Sequence, residues 1–259
     1  MDDSREHLER VRRQFTRQAD AYSDMPQTSD AARAEALAAF TGVQPHHDVL
    51  DVACGPGFLT AALARRCARA FGLDGTPALL ERARLHAAER GLDNLRFHQG
   101  DAEALPFADE RFDVVSCKAA FHHFPRPDRV LAEMRRVVKR DGRLLVADML
   151  GSENPACAQY HDRIERLCDP THVRALPRSE FERMFAAAGL TVLAAPSGSM
   201  DYDVDAWMAH GGPPADVAAE IVRLFEASLE TDRSGLAVRR EGDWLRFSHR
   251  VVSFLLKPV

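Results

Sequence analysis

The chain has 259 residues, of which 46% are apolar, and its formal net charge is −5. This length and apolar fraction indicate one α/β domain with appended helices. A nucleic-acid-binding surface needs a basic face, so the negative charge argues against DNA or RNA as partners. Segment 1–7 lacks an apolar run, and we therefore expect neither a signal peptide nor a membrane span.

The five cysteines are scattered along the chain, at Cys54, Cys67, Cys117, Cys157 and Cys168. No pair of them has the spacing of a zinc site or of a redox-active motif. We interpret them as reduced thiols of a cytoplasmic protein. The sequence shows no trio of acidic residues arranged for a divalent cation, and no metal is predicted.

The chain begins with a helical region, in which helices are predicted over 6–22 and 30–40. Phe15 and Tyr22 are seven residues apart and therefore share one helical face. One interpretation is that both are core aromatic residues. The other is that Tyr22 contacts a ligand when this region closes over it.

A glycine-containing turn follows the first predicted strand. The strand covers 49–53, the turn is Gly55-Pro-Gly57, and an apolar helix over 58–67 comes next. Such a unit presents unpaired backbone N–H groups at a helix N-terminus, and glycine lets a ligand approach the backbone. Thr60 occupies the third glycine position of the dinucleotide pattern G-x-G-x-x-G, which therefore fails. A turn of this kind alone is weak evidence, since many use glycine for steric reasons.

Later predicted strands also end in polar residues. Segments 70–74 and 95–101 end in Asp74 and Asp101, and segment 112–117 precedes a further polar stretch. Open α/β sheets bind ligands at the carboxyl ends of their strands, so we expect a ligand site there. The acidic character of this edge suits a ligand with an ammonium group and a sulfonium centre better than one with phosphates.

The chain continues with a fifth predicted strand and a less regular second half. Helix–strand alternation over 48–150 implies a mainly parallel sheet. The remaining predicted elements are a strand over 142–148, helices over 154–169 and 215–230, a helix capped by Ser179, and strands over 190–195 and 245–257.

These segments together resemble the class I S-adenosylmethionine-dependent methyltransferases. Segment 49–57 resembles their first motif, 72–83 their second and 100–107 their third, and 112–124 with 142–148 completes the set in order. The most similar branch acts on small molecules and includes the ubiquinone and menaquinone C-methyltransferases. The resemblance implies an α/β fold with a Rossmann-like, doubly wound seven-stranded sheet, mostly parallel with an antiparallel last strand, and an N-terminal helical lid.

The resemblance also implies a division of the chain. The lid would cover 1–45 and the methyltransferase domain 46–259, with additions on the acceptor side over 151–178 and 197–243. Segment 117–120 lacks the Asn-Pro-Pro-Tyr tetrapeptide of amide and base N-methyltransferases of this class. We therefore expect a small organic acceptor methylated at carbon or oxygen. A homodimer is left open.

The resemblance assigns residues to S-adenosylmethionine. Asp51 would lie near the ammonium group, Asp74 would accept the ribose hydroxyls, and Asp101 would accept from the adenine amino group. Asp51 as a helix-cap partner and Asp101 as the start of a turn are alternatives. Ala53 stands where many members carry glycine, a small-for-small change expected to be harmless. The other assigned cofactor contacts are Ala53, Gly55, Gly57, Gly75, Ala102, Cys117, His123 and, with the lid closed, Tyr22.

Methyl transfer from a sulfonium is an in-line displacement, so alignment and exclusion of water can supply most of the acceleration. A base is needed only if the acceptor must lose a proton, and histidine suits that role. The candidate catalytic residues are His172, His122 and His161. A packing or cofactor-contact role is the alternative for His122, and a loop-fixing hydrogen bond is the alternative for His172. Asp148 is a candidate to orient one of these rings.

Two other classes of function remain open. The first is a non-methylating enzyme on the same scaffold, in which the cofactor acts only structurally or electrostatically. The second is an NAD(P)-binding oxidoreductase, which Thr60 disfavours.

Overall fold

The computed structural model describes residues 3–259, with side chains described from residue 5 onward. Its centre is a mixed β-sheet that is covered by helices on both faces. In this described part, four helices precede the sheet: α1 (Asp3–Arg17), α2 (Ala19–Asp24), α3 (Pro26–Ser29) and α4 (Ala31–Phe40). Over the same residues, no helix has the length and apolar character needed to cross a membrane.

The first half of the sheet alternates strands and helices. Its elements are β1 (Asp48–Val52), α5 (Phe58–Ala64), β2 (Arg69–Asp74), α6 (Pro77–Glu89), β3 (Leu95–Gln99), β4 (Phe112–Lys118), a 3₁₀ turn (Phe121–His123), α7 (Pro127–Val137) and β5 (Val138–Met149). The strands lie in the order β3-β2-β1-β4-β5, and all neighbours are parallel. The order reverses between β1 and β4, which is where open α/β sheets hold ligands.

The second half of the chain completes the sheet. Its elements are α8 (Pro155–Cys168), α9 (Arg178–Ala187), β6 (Leu190–Ala194), β7 (Ser197–Asp203), α10 (Val204–Gly211), α11 (Ala215–Glu226), β8 (Arg239–Glu241) and β9 (Trp244–Pro258). β9 inserts antiparallel between β5 and β6. The predicted seven-stranded path, mostly parallel with an antiparallel last strand, is confirmed.

Two strands, β7 and β8, extend the sheet beyond this prediction. β9 has 15 residues and projects past the end of β5, so its first half is free to pair with β7 and β8. The residues of β7 are mostly polar, and most of them are exposed. Its sequence therefore lacks the alternation of apolar and polar residues that predicts a strand. Both strands form because β9 offers them a backbone edge.

Both faces of the sheet are buried, as alternate residues of β1 show. Val49 belongs to a core cluster with α4 and α5, whereas Leu50 and Val52 belong to a cluster with α7 and α9. A strand that is covered on both sides is apolar on both faces, and Val49, Leu50 and Val52 follow this rule, although Asp48 and Asp51 interrupt the apolar run. A third cluster joins α8, α10 and α11 to β7 and β9.

Two local predictions were wrong. Ser179 does not cap α9, because that helix already begins after Pro177. Its N–H and hydroxyl instead donate to Glu153 at 3.0 and 2.7 Å, so Glu153 supplies the acceptor at this helix end. The helix predicted over 6–22 is interrupted at Gln18, which separates α1 from α2.

Candidate functional site

Two cavities meet at the carboxyl edge of the sheet. The sheet-edge cavity encloses about 820 Å³, and the histidine cavity about 960 Å³, with solvent at their mouths included. Their shared wall consists of Phe15, Tyr22, Ala119 and His123. The sheet-edge cavity is further defined by Ala53, Gly55, Asp74, Gly75, Asp101 and Ala102. The histidine cavity is further defined by His122, Asp148, Glu165, His172, His210 and His249.

Asp74 connects the turn after β1 to the start of α6. Its Oδ2 accepts a hydrogen bond from the Gly55 N–H at 2.9 Å, and its Oδ1 accepts one from the Thr76 N–H at 2.8 Å. Burial raises the pKa of Asp74. The carboxylate lines the sheet-edge cavity, where a hydroxyl of a ligand can approach it.

The two glycines of the turn have different surroundings. Gly55 lines the sheet-edge cavity with φ of +53°. Gly57 begins α5 with φ of +79°, and a Cβ there would lie 2.9 Å from the Cβ of Ala83 on α6. Gly57 is therefore required for the packing of two helices and lies outside the cavity lining, away from its assigned cofactor contact.

Ala53 adopts a left-handed backbone conformation with φ of +53°. This conformation costs a residue with a Cβ roughly 1–2 kcal/mol. The expectation that alanine in place of glycine is harmless here stays a prediction, and this backbone angle counts against it. Ala53 lines the sheet-edge cavity, so the strain lies next to the ligand-binding surface.

A side chamber adjoins the sheet-edge cavity, and its lining includes Tyr22, Asp51 and Lys118. Asp51 accepts hydrogen bonds from the hydroxyls of Ser116 and Thr60, both at 2.7 Å. Burial raises the pKa of Asp51 to about 6. Thr60, which breaks the dinucleotide pattern, thus orients the first acidic residue of this edge.

Lys118 is the residue that sequence reasoning missed. It ends β4, and it lines both the side chamber and the histidine cavity. Burial lowers the pKa of its ammonium group. A lysine at the end of a mostly apolar strand was the available signal, because lysine is rarely placed in the interior of a protein.

Cys117 lies one residue before this edge. Its side chain is fully buried in the core cluster that contains Leu50 and Val52. Its thiol is therefore enclosed in the core, and Cys117 is not among the residues that line the two cavities. Lys118 and Ala119, rather than Cys117, supply the atoms that line the cavities.

Asp101 and Ala102 lie together at the wall of the sheet-edge cavity, beside Gly75. One oxygen of Asp101 accepts a hydrogen bond from the Glu103 N–H at 2.9 Å, so the turn-forming alternative is present in the structure. The other oxygen has no turn contact of this kind. Gly75 is close to the lid, since a Cβ there would lie 3.0 Å from Leu8 Cδ1.

Phe15 of α1 and Tyr22 of α2 contact each other edge-to-face, with ring centroids 5.3 Å apart. Burial raises the pKa of Tyr22 to about 12, so its phenol stays protonated near neutral pH. Two hydrogen bonds hold α1 over the cavities: His7 donates to the His123 carbonyl, and Arg12 donates to the Gly75 carbonyl, both at 2.9 Å. Tyr22 thus packs against Phe15 and also lines both cavities, and its contact with a ligand stays a prediction.

His122 forms an ion pair with Asp148 in the histidine cavity. The two side chains are 2.6 Å apart, from His122 Nδ1 to Asp148 Oδ1. Burial acts to lower the pKa of His122, but the Asp148 carboxylate outweighs it, and the pKa is raised. Asp148 also accepts from the N–H groups of Ala120 and Phe121, at 3.0 and 2.7 Å. The carboxylate thereby fixes the loop that carries His122.

His172 forms a second histidine–carboxylate pair in the same cavity. Its Nε2 lies 2.8 Å from Asp162 Oδ1, which also accepts from the Ala175 N–H at 2.8 Å. Its Nδ1 is buried and has no hydrogen-bond partner. Burial lowers the pKa of His172, and Asp162 offsets only part of this effect. The His122 and His172 ring centroids are 5.6 Å apart.

His123 and His161 have other positions. His123 stands in the wall between the two cavities, and its Nδ1 contacts the Thr171 carbonyl at 3.1 Å. Burial, with His122 beside it, lowers the pKa of His123 to about 3. His161 is buried next to Glu165 and lies behind the lining of the histidine cavity. The structure therefore brings His122, His123 and His172 together but separates His161 from the cavity.

The strand order, the turn at Gly55 and the acidic residues Asp51, Asp74 and Asp101 lie together at the carboxyl edge of a Rossmann-like sheet. A family model described as "Methyltransferase domain" matches residues 44–189. The chain belongs to this family, and it is an S-adenosylmethionine-dependent methyltransferase, as the sequence predicts.

The relatives agree with this assignment. The uncharacterized methyltransferase YcgJ of Bacillus subtilis (strain 168) is 31% identical over 245 residues, which are 95% of each chain. The C-methyltransferase UbiE of Allorhizobium ampelinum, which acts in ubiquinone and menaquinone biosynthesis, is 38% identical over 121 residues, covering 45% of this chain and 47% of its own. The crystal structure of YcgJ superposes with a TM-score of 0.83 at 30% identity, covering 88% of this chain and 99% of YcgJ.

Proposed function

We propose that the protein transfers the methyl group of S-adenosylmethionine to carbon or oxygen of a small organic acceptor held in the histidine cavity. The observation that carries this proposal is the shared wall of Phe15, Tyr22, Ala119 and His123. A cofactor in the sheet-edge cavity would have its sulfonium end toward this wall. An acceptor on the other side would then be aligned for in-line displacement with water excluded.

The cofactor would use the residues of the sheet-edge cavity. Asp74 would accept the ribose hydroxyls, Asp101 and Ala102 would contact the adenine, and Asp51 and Lys118 would face the ammonium and carboxylate groups. The side chamber favours this direction because it combines a carboxylate with a cation. S-adenosylmethionine would supply the electrophilic methyl group.

Two histidines of opposite character support acid–base roles in the histidine cavity. The raised pKa of His122 favours its protonated form, and the lowered pKa of His172 favours its neutral form. When environments push the pKa values of neighbouring groups apart, the groups suit opposite proton-transfer roles. We assign His172 Nδ1 as the base that removes a proton from the acceptor, and His122 as the donor that stabilises the resulting anion.

The lining of the histidine cavity favours an acceptor with an apolar body. Met25, Leu37, Met200 and Trp207 contribute apolar surface, while the histidines and Lys118 contribute the polar groups. A phenol, or an enol that becomes nucleophilic at carbon, combines such a body with an ionisable hydroxyl. The division into a lid over 1–45 and a catalytic domain over 46–259 belongs to the same proposal.

The test measures S-adenosylhomocysteine formed from S-adenosylmethionine with a panel of phenols and enols. We expect turnover with at least one member of the panel, and loss of turnover without loss of cofactor binding in His172→Gln. The exposed His46 gives the matched control, His46→Gln, which should behave as wild type. Calorimetric binding of S-adenosylmethionine with no product from any acceptor would favour the non-methylating alternative.

A further inference from the structure

A buried cluster of two histidines and one glutamate lies beside the histidine cavity. His161 and Glu165 are four residues apart and share one face of α8, and His249 reaches them from β9. One potential ligand atom from each residue lies within 4.8 Å of the other two. All three side chains are buried, with His161 2%, Glu165 6% and His249 3% exposed.

The contacts within this cluster leave one nitrogen without a partner. His249 Nε2 lies 2.7 Å from Glu165 Oε1, which is hydrogen-bonding distance. His161 Nε2 lies 3.4 Å from the same oxygen, and it is buried without a hydrogen-bond partner. A buried polar atom without a partner is costly, so this nitrogen requires an explanation. It is directed at the carboxylate oxygen that His249 also approaches.

We propose that His161, Glu165 and His249 bind a divalent transition-metal ion, with zinc as the principal candidate. Two imidazoles and one carboxylate are a donor set of zinc sites that keep an open coordination position. With metal–ligand bonds of about 2.0–2.1 Å in a tetrahedral arrangement, ligand atoms lie about 3.3 Å apart. The separation of His161 from Glu165 matches this value, and His249 has to withdraw by about 0.6 Å from Glu165.

The metal would replace the hydrogen bond between His249 Nε2 and Glu165. A histidine binds a metal through the lone pair of one ring nitrogen, so His249 would carry its hydrogen on Nδ1 in the metal-bound form. His161 Nε2 would then acquire the partner that it lacks, and the negative charge of Glu165 would be balanced by a cation.

The open position of this site would face the histidine cavity, because Glu165 and His249 line that cavity while His161 stands behind them. An oxygen or nitrogen atom of a small molecule in the cavity is then the fourth ligand. His210, which also lines the cavity and has a buried, unpartnered Nδ1, is near this opening. The link between this metal and the methyl acceptor rests on the proposed function, whereas metal binding itself does not.

The experiment uses the full chain, freed of metal with a chelator and then titrated with Zn²⁺ and with Co²⁺. We expect one equivalent of zinc to remain after gel filtration, measured by elemental analysis. We also expect visible cobalt absorption of a four- or five-coordinate site. In Glu165→Gln and in His161→Ala the zinc affinity should fall at least about tenfold, since even changes to groups behind the ligands cost that much.

Controls separate this site from other histidines and from loss of folding. His172→Gln removes another histidine of the same cavity and should keep one equivalent of zinc. Zinc should raise the Tm of the wild-type protein and not that of Glu165→Gln, with circular dichroism establishing that both are folded. Equal zinc binding by wild type and a His161→Ala/Glu165→Gln/His249→Ala variant would overturn the proposal.

The two proposals fail separately. Stoichiometric zinc without methyl transfer to any acceptor leaves the metal site standing and counts against the proposed function. If the protein transfers methyl groups but retains no zinc, and if added zinc does not raise its Tm, the metal site alone is overturned.

Discussion

The Nε2 atom of His172 lies 2.8 Å from Asp162 Oδ1, and this contact determines which nitrogen of the ring can take up a proton. The same carboxylate oxygen accepts a hydrogen bond from the Ala175 N–H, so Asp162 acts as the acceptor for both Ala175 and His172. His172 must therefore carry its hydrogen on Nε2 when neutral, which leaves a lone pair on Nδ1. A base oriented in this way by a carboxylate is ready before the acceptor arrives.

Replacing His172 tests this role. We expect His172→Gln to lower kcat by about 10²–10⁴-fold, the usual contribution of a general base. Binding of S-adenosylhomocysteine should be unchanged, because His172 lines only the histidine cavity. The measurement combines initial rates over a pH series with calorimetry. A variant with normal kcat and an unchanged pH profile would show that His172 only fixes its loop.

The ion pair of His122 and Asp148 predicts how stability depends on pH. The folded-state pKa of His122 is raised, so its contribution is complete below its unfolded value of about 6.5 and is lost as pH rises through the folded value. The pKa of Asp148 is lowered, so its contribution is present above its unfolded value of about 3.9 and is lost as pH falls through the folded value. The pair should be most stabilising between about pH 4 and 6.5.

Urea unfolding of wild type and His122→Gln across pH 5–9 measures the contribution of the His122–Asp148 ion pair. That contribution is the difference between the two free energies of unfolding. The difference is needed because His123, His172 and His249 have lowered pKa values and affect stability in the opposite direction. A difference between the two proteins that does not shrink as pH rises would contradict the assigned ion pair.

Relief of backbone strain at Ala53 should stabilise the protein. Ala53→Gly removes a left-handed alanine at φ of +53°, and we expect a gain of up to about 1 kcal/mol after the entropic cost of glycine. The matched control is Ala88→Gly on the exposed face of α6, where glycine should cost about 1 kcal/mol. Urea denaturation of both variants measures the change in the free energy of unfolding. If Ala53→Gly lost as much stability as Ala88→Gly, the backbone of Ala53 would not be strained.

Lys118 should contribute to cofactor affinity. In Lys118→Met we expect S-adenosylmethionine to bind about 10–100-fold more weakly, since a charge-assisted hydrogen bond contributes about 1.5–3 kcal/mol. The exposed Lys257 gives the control Lys257→Met, which should bind as wild type. Calorimetric titration supplies both affinities. Unchanged binding in Lys118→Met would place the carboxylate of the cofactor elsewhere.

The gathering of the glycine turn and the acidic residues at the carboxyl edge of the sheet was predictable because its signals are local. The turn at Gly55 follows its own strand directly, and Asp74 ends the next strand along the chain, so short segments contain the relevant pattern. The φ of Ala53 has no such signal, because the sequence gives the side chain and not the backbone angle. The role of Gly57 depends on Ala83, which lies on a different helix.

The histidine cavity was less predictable because its contacts span long separations. His249 reaches Glu165 across 84 residues, and it does so only because β9 inserts between β5 and β6. The Asp162–His172 pair, ten residues apart, depends on how the loop after α8 returns toward that helix. The spacing of residues in the sequence specifies neither the insertion of β9 nor the course of the loop after α8.

The position of Phe15 and Tyr22 in the wall between the cavities has a kinetic consequence. A movement of α1 and α2 that uncovers one cavity also uncovers the other, because the same two rings close both. Under the proposed function, departure of the spent cofactor and admission of a fresh acceptor would then share a single gate. The slowest opening of that gate sets an upper limit on turnover, whatever the rate of the chemical step.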